Sequence, residues 1–365
     1  MHIALYLNNL WGISATARIA SMLSKEFVKQ GHKVVFIINK PPIEIETKLP
    51  IKVLKGKGDL QRALELAEIF EREKIDVCLG FMRPQSVVMA LSKILKGKNL
   101  NTILVGSVHN SDNYLSYNRW YHLPYRFLVK KLFQKLDAIV AVSESVKQDL
   151  IEAFFLPKDL IKVIHNPIDT DLVRQKAKEP IEPYLEKVFQ HPTIVNVARM
   201  EIQKGLNHLI NIFARVVKEI PSAQLVLIGD GSQRRKLEDQ ITNLGLENNV
   251  HLLGWKENPF KYIARSKVLA LTSLWEGLAL VILESMALGI PPVAFKTRGG
   301  HVEVLKDCCP LVDYPNEEAY AKVLIKILTD QSYYQSLKNN ALTKVKEFSA
   351  DRVAQKYLNL FEGLK

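Results

Sequence analysis

The 365-residue sequence predicts an α/β protein with two doubly wound domains, each built on a parallel sheet. Three observations support this fold class. Short runs rich in Val, Ile and Leu alternate with amphipathic helical patterns along the chain. The short runs are mostly apolar throughout, which is typical of strands covered on both faces. The alternation occurs twice, and a segment with three prolines at 171–192 separates the two series as the predicted linker.

The first series contains six predicted strands. They are IALYL (3–7), KVVFII (33–38), DVCLGF (76–81), TILVGSVH (102–109), AIVAVS (138–143) and IKVIHN (161–166). Helices are predicted between them, for example at 15–31, where an amphipathic pattern ends at Gly31 as expected for a glycine just beyond a helix. The second series contains five predicted strands. They are TIVNVA (193–198), QLVLIG (224–229), NVHLLG (249–254), KVLALTS (267–273) and PPVAF (291–295).

Composition places the chain among ordinary globular proteins, with 47% hydrophobic and 24% charged residues. Three cysteines, two of them the adjacent Cys308 and Cys309, indicate no disulfide framework and favour a reducing cytosol. The first residues resemble a strand rather than a signal peptide, and no run of 18 apolar residues predicts a membrane-spanning helix. We therefore expect a cytoplasmic protein. Its basic charge leaves open a peripheral position on the inner face of the cytoplasmic membrane.

The charge is strongly basic, with a formal net charge of +12. Nucleic acid, a membrane surface or an anionic small molecule would each suit it. The segment 119–137 mixes basic and aromatic residues at helical spacing. This pattern is typical either of a helix on an anionic membrane or of an ordinary amphipathic helix with solvated lysines. No nucleic-acid-binding motif is present, so we expect no nucleic-acid partner.

A carboxylate inside an apolar helix is the most informative feature of the second half. Glu284 lies within SLWEGLALVILESMALG (273–289), where a helix is predicted from about 278 to 288. An unpaired carboxylate in apolar surroundings is costly, so Glu284 needs donors, either from a core arginine or from a ligand's hydroxyls. Glu276 is predicted at the helix entry, where free N–H groups favour an anion such as the glutamate itself or a bound diphosphate.

Two cations follow the first strand of the second series. The strand is predicted to end at about Ala198, Arg199 comes next, and Lys204–Gly205 open a helix. The planar fork of an arginine and the mobile charge of a lysine suit a diphosphate at such a junction, although a solvated basic loop is the alternative.

In this order and spacing, the residues resemble the retaining glycosyltransferases of family 4, also called glycosyl transferases group 1. The resemblance rests on Arg199, on Lys-Gly five residues later and on Glu-x7-Glu from Glu276 to Glu284. Further matching pieces are LIGDG (227–231), VSESVKQDL (142–150), IHNPID (164–169) and RGGHVEVL (298–305). The resemblance covers most of the chain and is strongest in 193–305.

The resemblance implies the GT-B fold, in which two Rossmann-like domains face a central cleft. Residues 1–172 would form the acceptor-side domain and 173–349 the domain that binds the nucleotide-sugar. Residues 350–365 would form a C-terminal helix that packs back on the first domain.

Roles for the charged residues follow from the same resemblance. Arg199 and Lys204 would hold the diphosphate of the donor and stabilise the leaving group. Glu284 would accept hydrogen bonds from the ribose hydroxyls, and Glu276 would lie near the donor sugar.

Other predicted contacts with the donor involve backbone and one histidine. The backbone of Gly277, Leu278 and Ala279 would lie beside the sugar and phosphate. His109, at the end of the strand TILVGSVH, would point toward the sugar, with a purely structural histidine as the alternative. Gly12 is the one glycine of the first loop, where the family usually has two adjacent glycines, and it is the predicted backbone contact there.

The implied activity is the retaining transfer of a hexosyl or N-acetylhexosaminyl group from a nucleotide-sugar, by default UDP-linked, to a glycan or lipid-linked acceptor. Bacterial cell-surface polysaccharide or lipopolysaccharide synthesis is the expected setting. No Asp-x-Asp motif follows a strand and no His/Cys cluster has metal-ligand spacing, so we expect neither a metal nor a bound cofactor. An epimerase or a phosphorylase on the same architecture is an alternative. A dinucleotide-dependent oxidoreductase is disfavoured because no G-x-G-x-x-G follows the first strand.

Overall fold

The chain forms two compact units in a computed structural model, which describes residues 1–12, 14–97, 100–110 and 123–365. Unit 1 comprises Met1–Ile168 and Phe348–Lys365, and unit 2 comprises Asp169–Glu347. These boundaries lie slightly before the predicted ones at 172 and 349. The first differs because the helix Thr170–Ala177 belongs wholly to unit 2.

Unit 1 contains a sheet of seven strands among the described residues. They are β1 (His2–Leu7), β2 (Lys33–Ile38), β3 (Ile51–Val53), β4 (Val77–Phe81), β5 (Ile103–Val108), β6 (Ala138–Ala141) and β7 (Ile161–Val163). The spatial order is β3-β2-β1-β4-β5-β6-β7, so the winding reverses between β1 and β4. All neighbouring strands pair in parallel. Every residue of β4 is buried, as the apolar run predicts for a strand covered on both faces.

The helices of unit 1 alternate with these strands. They are α1 (Ala15–Lys29), α2 (Asp59–Glu73), α3 (Arg83–Lys96), α4 (Leu123–Phe133) and α5 (Glu144–Phe154). Helix α5 begins where Ser143 accepts a hydrogen bond from the backbone N–H of Val146 at 3.1 Å. The C-terminal helix (Ala350–Gly363) also belongs to unit 1 and packs on α1, where the rings of Phe27 and Phe361 lie 6.1 Å apart.

Unit 2 contains a second parallel sheet, with six strands. They are β8 (Thr193–Val197), β9 (Gln224–Ile228), β10 (Val250–Leu252), β11 (Val268–Leu271), β12 (Pro292–Lys296) and β13 (Leu311–Asp313). The spatial order is β10-β9-β8-β11-β12-β13, so the winding reverses between β8 and β11. Both units are therefore Rossmann-like, which confirms the predicted fold class.

Helices of unit 2 complete the alternation. They are α6 (Thr170–Ala177), α7 (Pro183–Phe189), α8 (Leu206–Glu219), α9 (Arg234–Asn243), α10 (Phe260–Ile263), α11 (Leu280–Ala287), α12 (Gly300–Leu305), α13 (Glu317–Thr329) and α14 (Gln331–Lys344). Short 3₁₀ turns occur at Lys158–Leu160 in unit 1, at Ile202–Lys204 in unit 2, and at Val345–Phe348, where the chain returns from unit 2 to unit 1. Within the described ranges, no helix combines the length and the apolar character needed to cross a membrane.

The segment 171–192 is folded rather than an open linker, because it contains α7 and most of α6. Between the two helices, the carboxylate of Glu182 accepts hydrogen bonds from Lys256 Nζ at 2.7 Å and from the hydroxyl of Tyr262. Burial raises the pKa of Glu182, but these donors outweigh that effect and lower it to about 2. The segment is thus attached to unit 2 by an ionised carboxylate.

Candidate active site

Lys204 lies at the carboxyl edge of the unit 2 sheet because its turn approaches the end of β11 closely. The turn Ile202–Lys204 ends at Gly205, which has a φ of +57°. A Cβ at Gly205 would lie 2.3 Å from the carbonyl oxygen of Thr272, so only glycine allows this approach. The hydroxyl of Thr272 donates to the carbonyl oxygen of Lys204 at 3.1 Å. Lys204 is therefore held beside the strand end that precedes Glu276.

Lys204 and Glu276 form an ion pair that the sequence analysis did not predict. Lys204 Nζ lies 2.5 Å from Glu276 Oε1, and the two side chains are only 15% and 8% exposed. The backbone N–H of Glu276 donates to the carbonyl oxygen of Arg298 at 3.0 Å. A predicted diphosphate-binding cation and a predicted sugar-binding acid thus neutralise each other in this structure.

Arg199 follows β8 directly and is exposed, unlike Lys204. The loop after β9 supports this position, because the N–H of Met200 donates to the carbonyl oxygen of Asp230 at 2.9 Å. Glu201 also accepts hydrogen bonds from the backbone N–H and the hydroxyl of Ser232. Since β8 and β11 are adjacent, Arg199 and the ion pair follow neighbouring strands at one edge of the sheet.

Glu284 is buried, as the sequence predicts, with 3% of its surface exposed. It lies on α11, which begins at Leu280 rather than at about 278 and ends at Ala287. Six further residues of the eight in this helix are buried, and they are Leu280, Ile282, Leu283, Ser285, Met286 and Ala287. The helix is therefore apolar on nearly every side, with one carboxylate in its interior.

The segment Gly277–Leu278–Ala279 enters α11 in an extended conformation at Ala279. The N–H of Gly300 donates to the carbonyl oxygen of Gly277 at 2.7 Å, so the start of α12 supports this segment. A Cβ at Gly299 would lie 2.9 Å from the carbonyl oxygen of Glu276, which shows how closely the two segments pack. The motif RGGHVEVL (298–305) therefore supports the backbone around Glu276.

His301 is a buried residue of this region to which the sequence analysis assigned no role. Its Nε2 lies 3.0 Å from the carbonyl oxygen of Phe295, and among the described residues its Nδ1 has no hydrogen-bond partner. Burial lowers the pKa of His301, which favours the neutral form of the ring. No periodic pattern distinguishes such a histidine from an apolar core residue.

His109 lies in unit 1, just after β5, where the sequence places it. It is buried, its Nε2 lies 2.9 Å from Ser107 Oγ, and its Nδ1 lies 3.1 Å from Asn166 Oδ1. The ring stacks on Phe81 with 5.6 Å between the ring centroids. Burial lowers the pKa of His109 to about 4, so the ring is neutral at pH 7. A neutral ring with both nitrogens engaged does not suit a proton shuttle.

Gly12 is bonded to an acid that the sequence analysis did not consider. Its N–H donates to Glu44 Oε2 at 3.2 Å. The backbone of Leu10 also pairs with Ile43, which brings the segment containing Glu44 beside the first loop. The Gly12 N–H that we predicted to contact the nucleotide-sugar is therefore bonded to Glu44 in this structure.

The segment 119–137 is described only in part, since 119–122 lie outside the described residues. Helix α4 exposes Phe127 and Leu128, which are 50% and 55% accessible. Phe155 stacks on Phe127 with 5.7 Å between the ring centroids and is also exposed. The buried Arg126 donates to the carbonyl oxygens of Glu152 and Ala153. The helix therefore presents apolar side chains as well as lysines on its surface.

No group of three or more His, Cys, Asp or Glu side chains within the described parts of the chain has the geometry to hold a metal ion.

Two family models match the chain, one in each half. Residues 16–172 match the model described as Glycosyltransferase Family 4, and residues 178–344 match Glycosyl transferases group 1. An uncharacterized glycosyltransferase of Methanocaldococcus jannaschii is 28% identical over 354 residues, which cover 86% of this chain and 84% of that protein.

A second relative comes from Campylobacter jejuni. It is the N-acetylgalactosamine-N,N'-diacetylbacillosaminyl-diphospho-undecaprenol 4-alpha-N-acetylgalactosaminyltransferase, 28% identical over 305 residues that cover 82% of this chain and 80% of that protein. Among solved structures, Anabaena HepE in complex with UDP superposes with a TM-score of 0.81 at 19% identity, covering 100% of both chains. At this identity the superposition shows the fold alone.

The family models extend over most of both Rossmann-like units, and the strand orders and the superposition give the same fold. The chain therefore belongs to glycosyltransferase family 4, and it is a glycosyltransferase with the GT-B fold.

Proposed function

We propose that the chain is a retaining enzyme that transfers a hexosyl or N-acetylhexosaminyl group from a UDP-linked donor to a glycan or lipid-linked acceptor. The proposed setting is the cytoplasmic side of bacterial cell-surface polysaccharide or lipopolysaccharide synthesis. The observation that carries the proposal is the ion pair of Lys204 and Glu276, which follows neighbouring strands together with Arg199 at the carboxyl edge, where ligands of such sheets bind.

The cations suit the chemistry of a departing diphosphate. When the bond to the sugar breaks, negative charge builds on the diphosphate and positive charge on the sugar. Fixed cations stabilise this transition state more than the ground state, which raises the rate. We assign this role to Arg199 and Lys204, and we propose that no metal ion is required.

The ion pair indicates how the donor would engage the site. An incoming diphosphate offers Lys204 a more highly charged partner than the single carboxylate of Glu276. Once Lys204 has changed partner, the oxygens of Glu276 are available to accept hydrogen bonds from hydroxyls of the donor sugar. In this scheme the departing phosphate deprotonates the acceptor on the same face of the sugar, so the anomeric configuration is retained. The proposal keeps His109 and the backbone of Gly277, Leu278 and Ala279 as contacts of the sugar.

The relatives support the choice of substrates. The structure of Anabaena HepE contains UDP, and the Campylobacter enzyme is named for an undecaprenol-linked acceptor. A uridine donor and a polyprenol-linked acceptor are therefore the first to test.

The direct test measures nucleotide release from a panel of UDP-sugars and GDP-sugars with bacterial lipid extract as the acceptor. We expect UDP release that depends on both substrates and persists in EDTA, and a product with the anomeric configuration of the donor. Release of sugar 1-phosphate would favour a phosphorylase instead. An inverted product would contradict the retaining mechanism.

The role of Glu284 can be tested with the ribose itself. A carboxylate that accepts hydrogen bonds from the 2′- and 3′-hydroxyls contributes about 1.5 kcal/mol for each charged bond, which corresponds to about tenfold in Kd. We expect Glu284→Gln to weaken UDP binding about tenfold, and 2′-deoxy-UDP to bind the unmodified chain about tenfold more weakly than UDP. The measurement is calorimetric titration with both nucleotides.

The diagnostic result for Glu284 is the combination of the two changes. Glu284→Gln should bind UDP and 2′-deoxy-UDP within about twofold of each other, because the partner of the 2′-hydroxyl is already weakened. Glu219→Gln, at an exposed position on α8 of the same unit, is the matched control and should still discriminate tenfold. If Glu284→Gln discriminated between UDP and 2′-deoxy-UDP as strongly as the unmodified chain does, Glu284 would not contact the 2′-hydroxyl of the ribose.

We also propose that the surface of α4 attaches the protein to anionic membranes, where a lipid-linked acceptor would be found. The exposed Phe127, Leu128 and Phe155 would enter the interface while Lys131 and Lys135 stay at the headgroups. Flotation with phosphatidylglycerol vesicles should recover the protein, and pure phosphatidylcholine vesicles should not.

Two matched double variants distinguish binding through the surface of α4 from nonspecific adsorption of exposed apolar side chains to vesicles. Phe127→Ala/Leu128→Ala should abolish flotation, whereas Leu60→Ala/Leu64→Ala, which removes exposed apolar side chains from α2, should leave it unchanged. Equal recovery with both kinds of vesicle would contradict the proposal.

A further inference from the structure

A chain of buried hydrogen bonds connects His109 to the C-terminal helix. Ser107 Oγ lies 2.9 Å from His109 Nε2 and 3.4 Å from the hydroxyl oxygen of Tyr357. On the other side of the ring, His109 Nδ1 lies 3.1 Å from Asn166 Oδ1. All four side chains are buried. Tyr357 lies on the C-terminal helix, so residues distant in sequence converge on this ring.

The direction of each hydrogen bond follows from the groups present. Asn166 Oδ1 can only accept, so His109 Nδ1 must carry the hydrogen that lies between them. A neutral imidazole has one N–H, so Nε2 must accept, and the donor is the hydroxyl of Ser107. Since the single hydrogen of Ser107 is then used, the contact with Tyr357 is donated by the Tyr357 hydroxyl. The protons therefore point in one direction, from Tyr357 through Ser107 and His109 to Asn166.

We infer that Ser107 and Tyr357 are positioning residues that hold His109 as the neutral tautomer with its hydrogen on Nδ1. This inference rests on the proposed function for its consequence in catalysis. In this tautomer the Nδ1–H of His109 is bonded to Asn166. When the donor binds, this N–H would change partner and donate to an oxygen of the donor sugar. His109 does not take up a proton during the reaction.

Burial of the network agrees with this assignment. It lowers the pKa of His109 to about 4 and raises that of Tyr357 to about 12, so neither group changes its charge between pH 6 and 8. A buried phenol hydroxyl requires a partner, and Ser107 supplies it.

The first test reads the tautomer directly in the full-length protein labelled with ¹⁵N-histidine. In long-range proton–nitrogen spectra, we expect Nδ1 of His109 to be protonated and Nε2 unprotonated, without change from pH 8 to pH 6. The signals are assigned by their loss in His109→Gln. A protonated Nε2, or titration of the ring between pH 6 and 8, would overturn the inference.

The second test asks whether Tyr357 acts through His109. Tyr357→Phe removes the hydroxyl that orients Ser107, so we expect the His109 Nε2 signal to shift. We also expect kcat to fall about fivefold, while the KM for the donor changes less than twofold. The matched control is Tyr6→Phe, which removes another buried tyrosine hydroxyl of unit 1, bonded to Asn39 at 2.6 Å. It should leave the His109 signals and kcat within twofold of the unmodified chain.

The outcomes separate the inference from the proposed function. Unshifted His109 signals in Tyr357→Phe, or equal losses of kcat in both variants, would overturn the positioning role. Absence of nucleotide release by the unmodified chain would count against the proposed function, whereas the tautomer measurement needs no activity.

Discussion

Replacing Arg199 with alanine is expected to lower kcat by about 100-fold or more. Arg199 is an exposed residue just after β8, and the loop after β9 fixes its backbone through the bond between Met200 and Asp230. Its planar fork can bind two oxygens of the leaving diphosphate where negative charge develops. The measurement is the rate of UDP release at saturating donor and acceptor.

The comparison variant for Arg199 is Arg235→Ala. Arg235 is also exposed in unit 2, on α9, and it has no place in the proposed site. This variant should retain kcat and KM within about twofold. If Arg199→Ala raised the KM for the donor and left kcat unchanged, the arginine would only bind the ground state, and its proposed role in the transition state would be wrong.

Most of the fold follows from patterns that have simple physical causes. Most predicted strands are apolar runs that the sheets bury, and all eleven appear in the two parallel sheets. The strands β3 and β13 were not predicted. Each has three residues at the edge of its sheet, and each is partly exposed.

The prolines of the predicted linker 171–192 show that this residue has two roles. Pro183 stands at the first position of α7, where its missing N–H has no cost and its fixed φ favours the helix. The segment 171–192 lies between the two series of strands, and it contains helices on both sides of Glu182.

The charged residues of the site were visible in the sequence because charge after an apolar strand is unusual. Their pairing was not visible, because Lys204 and Glu276 are 72 positions apart and meet only through the close approach at Gly205. Neutral polar residues gave no signal at all. Ser107 and Tyr357 resemble ordinary strand and helix residues until the structure places their hydroxyls beside each other.

The ion pair of Lys204 and Glu276 predicts that replacing Lys204 has a large effect on both activity and stability. Lys204→Met removes a cation from the proposed diphosphate site and leaves the buried Glu276 without its partner. We expect kcat/KM for the donor to fall about 100- to 1000-fold. We also expect a loss of about 3 kcal/mol in the free energy of unfolding, because a carboxylate that is only 8% exposed remains without a counter-ion. Activity and thermal unfolding are measured on the same preparation.

The double variant Lys204→Met/Glu276→Gln separates these two consequences. It removes the orphaned charge together with the cation, so the free energy of unfolding should return to within about 1 kcal/mol of the unmodified chain. Activity should remain as low as in Lys204→Met, because the cation of Lys204 is still missing from the diphosphate site. Recovery of activity in the double variant would mean that Lys204 serves only to neutralise Glu276. A fully stable Lys204→Met would mean that the pair does not form without substrate. Stability regained without activity is the result that requires Lys204 to act on the donor itself.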